Sequence, residues 1–282
     1  QSHAQRGDYP SRWRDPDGAA MSALIEATLD GALARITLNR PEQGNAIDQA
    51  LADRLLELAH WCDSEKAVRA ILITANGKMF CAGGDVSAFA AAGSALPTFV
   101  RNLTASLHMA IARFAALSKP VVVAVNGPVA GAGLGVALVG DLVYAAPSAQ
   151  FVLAYPKIGL SPDAAATWLL PKLIGLRRTQ RMIFEARAID AEEAVAIGLI
   201  TSAFASQDAM MAHAERTVAN LAAMPTKALG RSKKLLLRAN DRAIEAQLEE
   251  EASAIALCAG EPDSGEGVRA FLDKRAAVFH GQ

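Results

Sequence analysis

The stretch from Pro120 to Gly140 constrains the fold of this chain most, because it is apolar, uncharged and broken by small residues. An apolar run, Pro120–Val125, leads into Asn126-Gly-Pro-Val-Ala-Gly-Ala-Gly-Leu-Gly135 and then into more apolar residues. The two prolines, five glycines and one asparagine favour a buried strand, a turn and a short helix over a membrane span. Backbone N–H groups at the start of such a helix point into the turn, where small residues let a ligand reach the main chain.

A second turn of the same kind lies upstream, in the sequence Lys78-Met-Phe-Cys-Ala-Gly-Gly-Asp-Val86. It follows the apolar run Ala70–Thr74, so it also joins a predicted strand to a predicted helix. Two such turns that meet in space would supply two convergent N–H donors. That arrangement is an oxyanion hole, which stabilises negative charge developing on a carbonyl oxygen.

Segments spaced along the chain from about Ala23 to the C-terminus resemble the crotonase (enoyl-CoA hydratase/isomerase) superfamily. They are Leu38–Pro41 with Asn45-Ala46, Gly77–Val86, Asn126–Asp141, Ala149–Phe151, Pro156–Leu160, Ala191–Leu199 and Glu266–Arg275. The resemblance implies an α/β fold with a ββα spiral core over residues 21–205 and a C-terminal helical region over 206–282. In the family, that region builds a trimer, often a dimer of trimers. Residues 1–20 show no sustained period and are interpreted as a disordered or cloning-derived extension.

The residue pattern independently predicts an α/β body. A hairpin is expected around Asp30-Gly31, and a helix over 48–62 with Asp48 as its cap. Strands at 70–74, 121–125 and 142–145 alternate with helical stretches, which predicts a mostly parallel sheet. Helices are expected at 208–223, 226–237, 242–258 and 265–278; a self-contained helical lid remains the alternative to a trimerisation region.

By the family's pattern, the substrate is a coenzyme A thioester, with no permanently bound cofactor. The two N–H donors would belong to Gly84 and Ala132. The resemblance places further substrate contacts at Asn45, Ala46, Ala82, Gly83, Asp85, Val86, Gly131, Phe271 and Lys274. Asp85 is equally suited to capping the helix after the turn. Large apolar side chains are candidates for an acyl pocket: Phe89, Phe99, Leu107 and Trp168.

The acid–base residues separate this chain from the hydratases that it resembles. Hydratases use two glutamates, and the matching positions hold Gly135 and Lys157. One carboxylate, Asp163, stands in apolar surroundings within Pro162-Asp163…Trp168-Leu-Leu-Pro-Lys-Leu-Ile-Gly175, a segment similar to that of single-aspartate enoyl-CoA isomerases. A single base suffices for a 1,3-proton shift or a ring isomerisation. Two alternatives for Asp163 are a nucleophile, as in an aryl-CoA dehalogenase branch, and a cap on a helix starting at Ala164.

Other functions remain open or are disfavoured by composition. Hydration, thioester hydrolysis, dehalogenation and a catalytically weak paralogue stay open. A net charge of −1 over 282 residues offers no general attraction for nucleic acid or anionic lipid. An RNA-binding relative would need the basic helix face of Arg231, Lys233, Lys234 and Arg238. The five histidines lie at no zinc spacing and are expected to be surface or packing residues. Three cysteines without C-x-x-C spacing fit a reducing, cytoplasmic compartment.

Overall fold

The computed structural model describes residues 24–281, so the predicted extension over residues 1–20 lies outside the described part of the chain. The main sheet has six strands in the order β1-β2-β3-β4-β6-β9. These strands are β1 (Ile25–Asp30), β2 (Leu33–Leu38), β3 (Ala70–Ala75), β4 (Val121–Val125), β6 (Leu142–Ala145) and β9 (Ser202–Ala203). Within this sheet, only β1 and β2 pair antiparallel, through the hairpin at Asp30-Gly31, and every other pair of its strands is parallel. The predicted hairpin and parallel sheet are confirmed.

A second, three-stranded sheet includes part of the glycine-rich turn. It has the order β5-β7-β8, with β5 (Val129–Ala130), β7 (Gln150–Val152) and β8 (Ile189–Asp190). Strand β5 pairs parallel with β7, and β7 pairs antiparallel with β8. The stretch from Pro120 to Gly140 is therefore strand β4, a turn with β5, and helix α4. No helix of the described residues is long and apolar enough to cross a membrane.

Eleven α-helices surround the sheets within residues 24–281. They are α1 (Gln49–Ser64), α2 (Val86–Ala92), α3 (Leu96–Ala116), α4 (Gly133–Leu138), α5 (Ala166–Ile174), α6 (Leu176–Phe184), α7 (Ala191–Ala196), α8 (Gln207–Ala223), α9 (Thr226–Arg238), α10 (Ile244–Ala259) and α11 (Pro262–Leu272). Helix α1 begins as predicted, because Asp48 Oδ1 accepts a hydrogen bond of 2.9 Å from the N–H of Leu51.

The strands of the main sheet are apolar on both faces because helices cover both. In β3, Ile71 and Ile73 belong to the larger core, which is shared with α1 and α3, whereas Leu72 points to the opposite face. On that opposite face α8 packs through Met210, Ala214, Val218 and Ala222. Burial on two sides explains why β3 and β4 read as continuous apolar runs rather than alternating ones.

The C-terminal region divides into a helix that packs on the sheet and helices that pack little within this chain. Helix α10 has no buried residue, and the end of the chain folds back on α11. There Asp263 accepts hydrogen bonds of 2.8 Å from the N–H groups of His280 and Gly281, and Arg275 pairs with Glu266. These contacts end α11 at Leu272, whereas the sequence pattern predicts a helix to Val278. The division of the chain at residue 205 stays a prediction.

Candidate active site

A cavity of about 420 Å³ lies between the two small-residue turns, α3 and the segment that carries Asp163. It collects most of the residues that the sequence places at the site: Ala82, Gly83, Gly84, Val86, Gly131, Ala132 and Asp163. Residues 82–84, residues 131–132 and Asp163 are far apart in the sequence and line the same cavity. Most of the remaining wall is apolar, as a site for an acyl chain requires.

The two turns lie against each other through their main chains. The N–H of Ala130 donates to the carbonyl of Cys81 over 2.9 Å, and the N–H of Phe80 donates to the carbonyl of Pro128 over 3.1 Å. Gly83 has φ +90°, and a methyl group built there would lie 2.8 Å from the Ala130 oxygen and 3.4 Å from the Ala132 nitrogen. A glycine at position 83 is therefore needed for both its backbone angle and the close approach of the two turns.

The predicted donor groups remain without partners inside the protein. Within residues 24–281, neither the N–H of Gly84 nor that of Ala132 has a hydrogen-bond acceptor. Ala132 has φ −61° and immediately precedes α4, so its methyl group fits an ordinary right-handed backbone. The Phe89 ring packs on Gly84, where an added methyl group would lie 2.6 Å from it. Both residues line the cavity, and the role of their N–H groups as a pair of donors stays a prediction.

Asp163 is held in the cavity wall by two side chains. The hydroxyl of Tyr155 donates to Asp163 Oδ1 over 2.5 Å, and His108 Nε2 lies 3.1 Å from Asp163 Oδ2. Burial, followed by the negative charge of Asp163, raises the pKa of Tyr155, so the phenol stays a neutral donor. The carboxylate keeps partial exposure, with 26% of its side-chain surface accessible. It is thus oriented but not enclosed.

The capping alternative for Asp163 does not match the structure. Helix α5 begins at Ala166 rather than at Ala164, and no side chain caps its first N–H groups. Instead Asp163 is followed by two residues in the left-handed region, Ala164 with φ 53° and Ala165 with φ 61°. Such angles cost about 1–3 kcal/mol for each non-glycine residue and cluster at functional sites. Because the Asp163 side chain does not cap α5, its carboxylate faces the cavity.

Gly135 explains why the first hydratase carboxylate has no place here. A Cβ at this position would overlap the main-chain oxygen of Ala164 and lie 2.8 Å from the Ala164 methyl group. The space next to α4 is thus filled by the turn that carries Asp163. The second hydratase position holds Lys157, an exposed residue on the cavity rim.

One of the expected coenzyme A contacts is corrected by the structure. The Asn45 side chain is fully buried, with Oδ1 accepting from the N–H of Arg40 and Nδ2 donating to the carbonyls of Asn76 and Met79. It supports the chain near the first turn and cannot touch a ligand from solvent. Ala46 does not line this cavity and its carbonyl accepts from the Arg40 guanidinium, so its contact with coenzyme A stays a prediction.

Asp85 acts as a helix cap in the structure, not as a cavity residue. Its Oδ1 accepts from the N–H groups of Ser87 and Ala88 over 3.0 and 3.2 Å at the start of α2. Its Oδ2 lies 3.5 Å from Arg40, which also pairs with Asp48, the cap of α1. Arg40 therefore joins the two caps through its guanidinium group.

The C-terminal residues expected to bind coenzyme A do not reach this cavity within one chain. Phe271 is 83% exposed on α11, and Lys274 follows that helix; neither lines the cavity. Their role stays a prediction for an assembly in which a neighbouring copy supplies them. Half of the basic face that an RNA-binding relative would need is paired inside the chain, because Arg231 pairs with Glu261 and Lys233 with Asp141.

The acyl-pocket candidates divide into two pairs. Phe89 and Leu107 line the cavity, and Phe99 supports Phe89 from behind with ring centroids 6.0 Å apart. Trp168 lies outside the cavity and stacks under the ammonium group of Lys172, 3.5 Å from the ring centroid.

Within residues 24–281, no three His, Cys, Asp or Glu side chains are placed to hold a metal ion.

Sequence reasoning missed Tyr155 and His108. Tyr155 stands one residue before the family-like segment that begins at Pro156, but nothing in that segment marks a buried phenol as a partner of Asp163. His108 was expected to be a surface or packing residue, and it is exposed on α3. Its contact with a carboxylate 55 residues away leaves no local signal in the sequence.

Comparisons with known proteins show similarity over nearly the whole chain. A sequence profile of the enoyl-CoA hydratase/isomerase family matches residues 28–282. A probable enoyl-CoA hydratase of Rhodobacter capsulatus is 39% identical over 92% of this chain and 98% of its own. The 1,2-epoxyphenylacetyl-CoA isomerase of Escherichia coli is 34% identical over 93% of this chain and all of its own. The crystal structure of a putative enoyl-CoA hydratase/isomerase from Mycobacterium abscessus superimposes with a TM-score of 0.87 at 33% identity, covering 92% of this chain and 100% of that one.

Proposed function

The chain belongs to the enoyl-CoA hydratase/isomerase family, and we propose that within this family of CoA thioester enzymes it is an enoyl-CoA isomerase with Asp163 as its base. One observation carries the proposal. Within the described residues 24–281, Asp163 is the only carboxylate that lines the cavity. Single-base chemistry needs one carboxylate, whereas hydration by the family's usual route needs two.

The proposed mechanism follows from this arrangement. The thioester oxygen accepts hydrogen bonds from the N–H groups of Gly84 and Ala132, which stabilise the negative charge that forms on it. The Asp163 carboxylate removes a proton from one carbon, the dienolate electron pair shifts, and the same carboxylic acid returns a proton two carbons away. Tyr155 holds the carboxylate in one orientation throughout, so the base need not rotate between the two positions.

Two relatives point to different members of the reaction family. The Rhodobacter relative is named as a probable hydratase and the Escherichia relative as an isomerase of a ring epoxide. We favour isomerisation because Gly135 and Lys157 replace both hydratase glutamates and the space at Gly135 is filled by the Ala164 carbonyl. Ring isomerisation of an aromatic epoxide and a double-bond shift in an open chain both fit one base.

A second candidate function is dehalogenation of an aryl-CoA thioester. Asp163 would attack the ring carbon as a nucleophile, the halide would leave with its electron pair, and water would hydrolyse the resulting ester. The observation that favours it is the nitrogen of His108, 3.1 Å from Asp163 Oδ2, where it could activate that water.

Assays of the native protein against a panel of CoA thioesters distinguish these functions. We expect conversion of 3-enoyl-CoA to 2-enoyl-CoA, or of a ring-epoxide thioester to its isomer, and very slow hydration of crotonyl-CoA. The double-bond shift is followed by absorbance of the conjugated thioester and the others by mass spectrometry. Fast crotonyl-CoA hydration overturns the isomerase proposal. Halide release from 4-halobenzoyl-CoA without isomerisation establishes the second candidate instead.

We also propose that the C-terminal helices assemble the protein as a trimer or a dimer of trimers. Helix α10 buries no residue within one chain, and large apolar side chains stand exposed on it and its neighbours: Leu236, Ile244, Leu248, Ile255, Phe271 and Leu272. An amphipathic helix of this kind needs an apolar partner.

Light scattering at micromolar concentration is expected to give a mass of three or six chains. A double substitution, Leu248→Asp with Ile255→Asp, should shift the protein towards the monomer, because it places charges in the buried contact. The matched pair Glu249→Gln and Glu251→Gln changes the same helix without adding charge and should keep the assembly. A native protein that stays monomeric contradicts the proposal.

A further inference from the structure

His108 makes two contacts with one ring nitrogen, and they cannot both be hydrogen bonds while Asp163 is ionised. Its Nε2 lies 3.2 Å from the N–H of Ala164, which donates to it, and 3.1 Å from Asp163 Oδ2. A nitrogen that accepts from Ala164 carries a lone pair and no proton. The contact with Asp163 is then a hydrogen bond only when Oδ2 itself carries the proton.

The two oxygens of Asp163 are therefore unequal. Oδ1 accepts the hydrogen bond of Tyr155, so the phenol already uses one of its lone pairs. Oδ2 has no contact with Tyr155 and is the oxygen beside His108. A proton taken from a substrate carbon and placed on Oδ2 faces a nitrogen lone pair at hydrogen-bond distance.

His108 also belongs to a different space from the substrate. It does not line the 420 Å³ cavity, but it lines a second cavity of about 550 Å³ that includes neither Asp163 nor Tyr155. The imidazole is 46% exposed at its side chain. Water can thus reach the far side of this ring without entering the substrate cavity.

We propose that His108 is a proton relay that connects Asp163 to solvent through the second cavity. The carboxylic acid of Asp163 transfers its proton to His108 Nε2, which gives a carboxylate and an imidazolium ion. The imidazole ring then turns towards the second cavity, where its Nε2 proton exchanges with a proton of water. When the ring turns back, Nε2 returns this solvent proton to Asp163. The proton returned to the product then comes in part from water instead of from the substrate. This inference rests on the proposed role of Asp163 as a base.

The experiment measures isotope washout per turnover. An enoyl-CoA deuterated at the carbon that loses its proton is isomerised in ordinary water, and mass spectrometry gives the fraction of product that has lost the label. We expect substantial washout with the native protein. His108→Gln keeps a side chain that can accept from Ala164 and donate to Asp163 but cannot relay a proton. Washout per turnover should fall about tenfold, equivalent to about 1.4 kcal/mol in the relative barrier.

A matched control and the possible outcomes separate the relay from the function. His60→Gln makes the same change at an exposed histidine on α1 that lines neither cavity, and it should keep the native washout. Because washout is expressed per turnover, a smaller fraction of active molecules does not alter it, and a slower return of the proton to the substrate would raise it, not lower it. Full label retention by the native protein, or native washout by His108→Gln, overturns the relay alone. Isomerase turnover that does not depend on Asp163 overturns the proposed function and the relay together.

Discussion

Replacing Asp163 by asparagine is expected to lower isomerase turnover by about 10²–10⁴-fold, the usual contribution of a general base. Asparagine has nearly the same shape and can still accept the hydrogen bond from Tyr155, but it cannot take a proton at neutral pH. Since Asp163 caps no helix, the melting temperature should change little. Turnover is measured from the absorbance of the conjugated product, and affinity for a saturated acyl-CoA by calorimetry should barely change.

Asp85→Asn is the matched control for this variant. It makes the same chemical change in a carboxylate near the cavity that caps α2 and does not line the wall. Asparagine is also a good cap, so both turnover and stability should stay close to those of the native protein. Unchanged isomerase turnover in Asp163→Asn would remove Asp163 from the mechanism.

Replacing Gly83 by alanine is expected to lower turnover by about 10²–10³-fold, the effect of losing one oxyanion donor. The new methyl group would lie 2.8 Å from the carbonyl oxygen of Ala130, so the two turns must separate. Gly84 and Ala132 would then no longer present their N–H groups to the same oxygen. The loss should appear in turnover for every thioester that the native protein accepts.

The effect of the backbone angle is separated from the effect of the contact by Gly31→Ala. Gly31 also has a positive φ, +57°, but a methyl group there meets nothing within 4 Å. It should cost about 1–2 kcal/mol of stability and leave turnover per folded molecule unchanged. If Gly83→Ala behaves in the same way, with native turnover, the two turns do not form an oxyanion hole.

The sequence predicted the sheet well because burial leaves a strong mark on its strands. Strand β4 is apolar at every position, since alternate residues meet the helices on opposite faces, and five consecutive Val and Ala residues allow few other interpretations. The helix over 265–278 was predicted too long because side chains far along the tail decide its end. Glu266 accepts from both Arg275 and the N–H of Val278, which draws the tail back along α11.

The site was predicted in its main chain better than in its side chains. Small residues mark a turn wherever the chain comes close to another segment, so Gly83 and Gly131 pointed to the cavity correctly. Asn45 was misplaced, because a position near a motif does not reveal whether a side chain points to the ligand or into the protein. In the structure, its side-chain amide forms hydrogen bonds with three main-chain groups. His108 contacts Asp163 because α3 packs beside the cavity, and no local sequence pattern indicates a tertiary contact of this kind.

The contact between Gly135 and the Ala164 carbonyl has a consequence for how such enzymes diverge. Because the main chain occupies the position that a second carboxylate would need, no single substitution can turn this active site into a two-glutamate one. An ancestor that changed from one chemistry to the other had to rebuild the turn at 163–165 and the residue at 135 together. Related sequences should therefore carry either a bulky residue at 135 with a relaxed turn, or a glycine with a strained one, and intermediates should be rare.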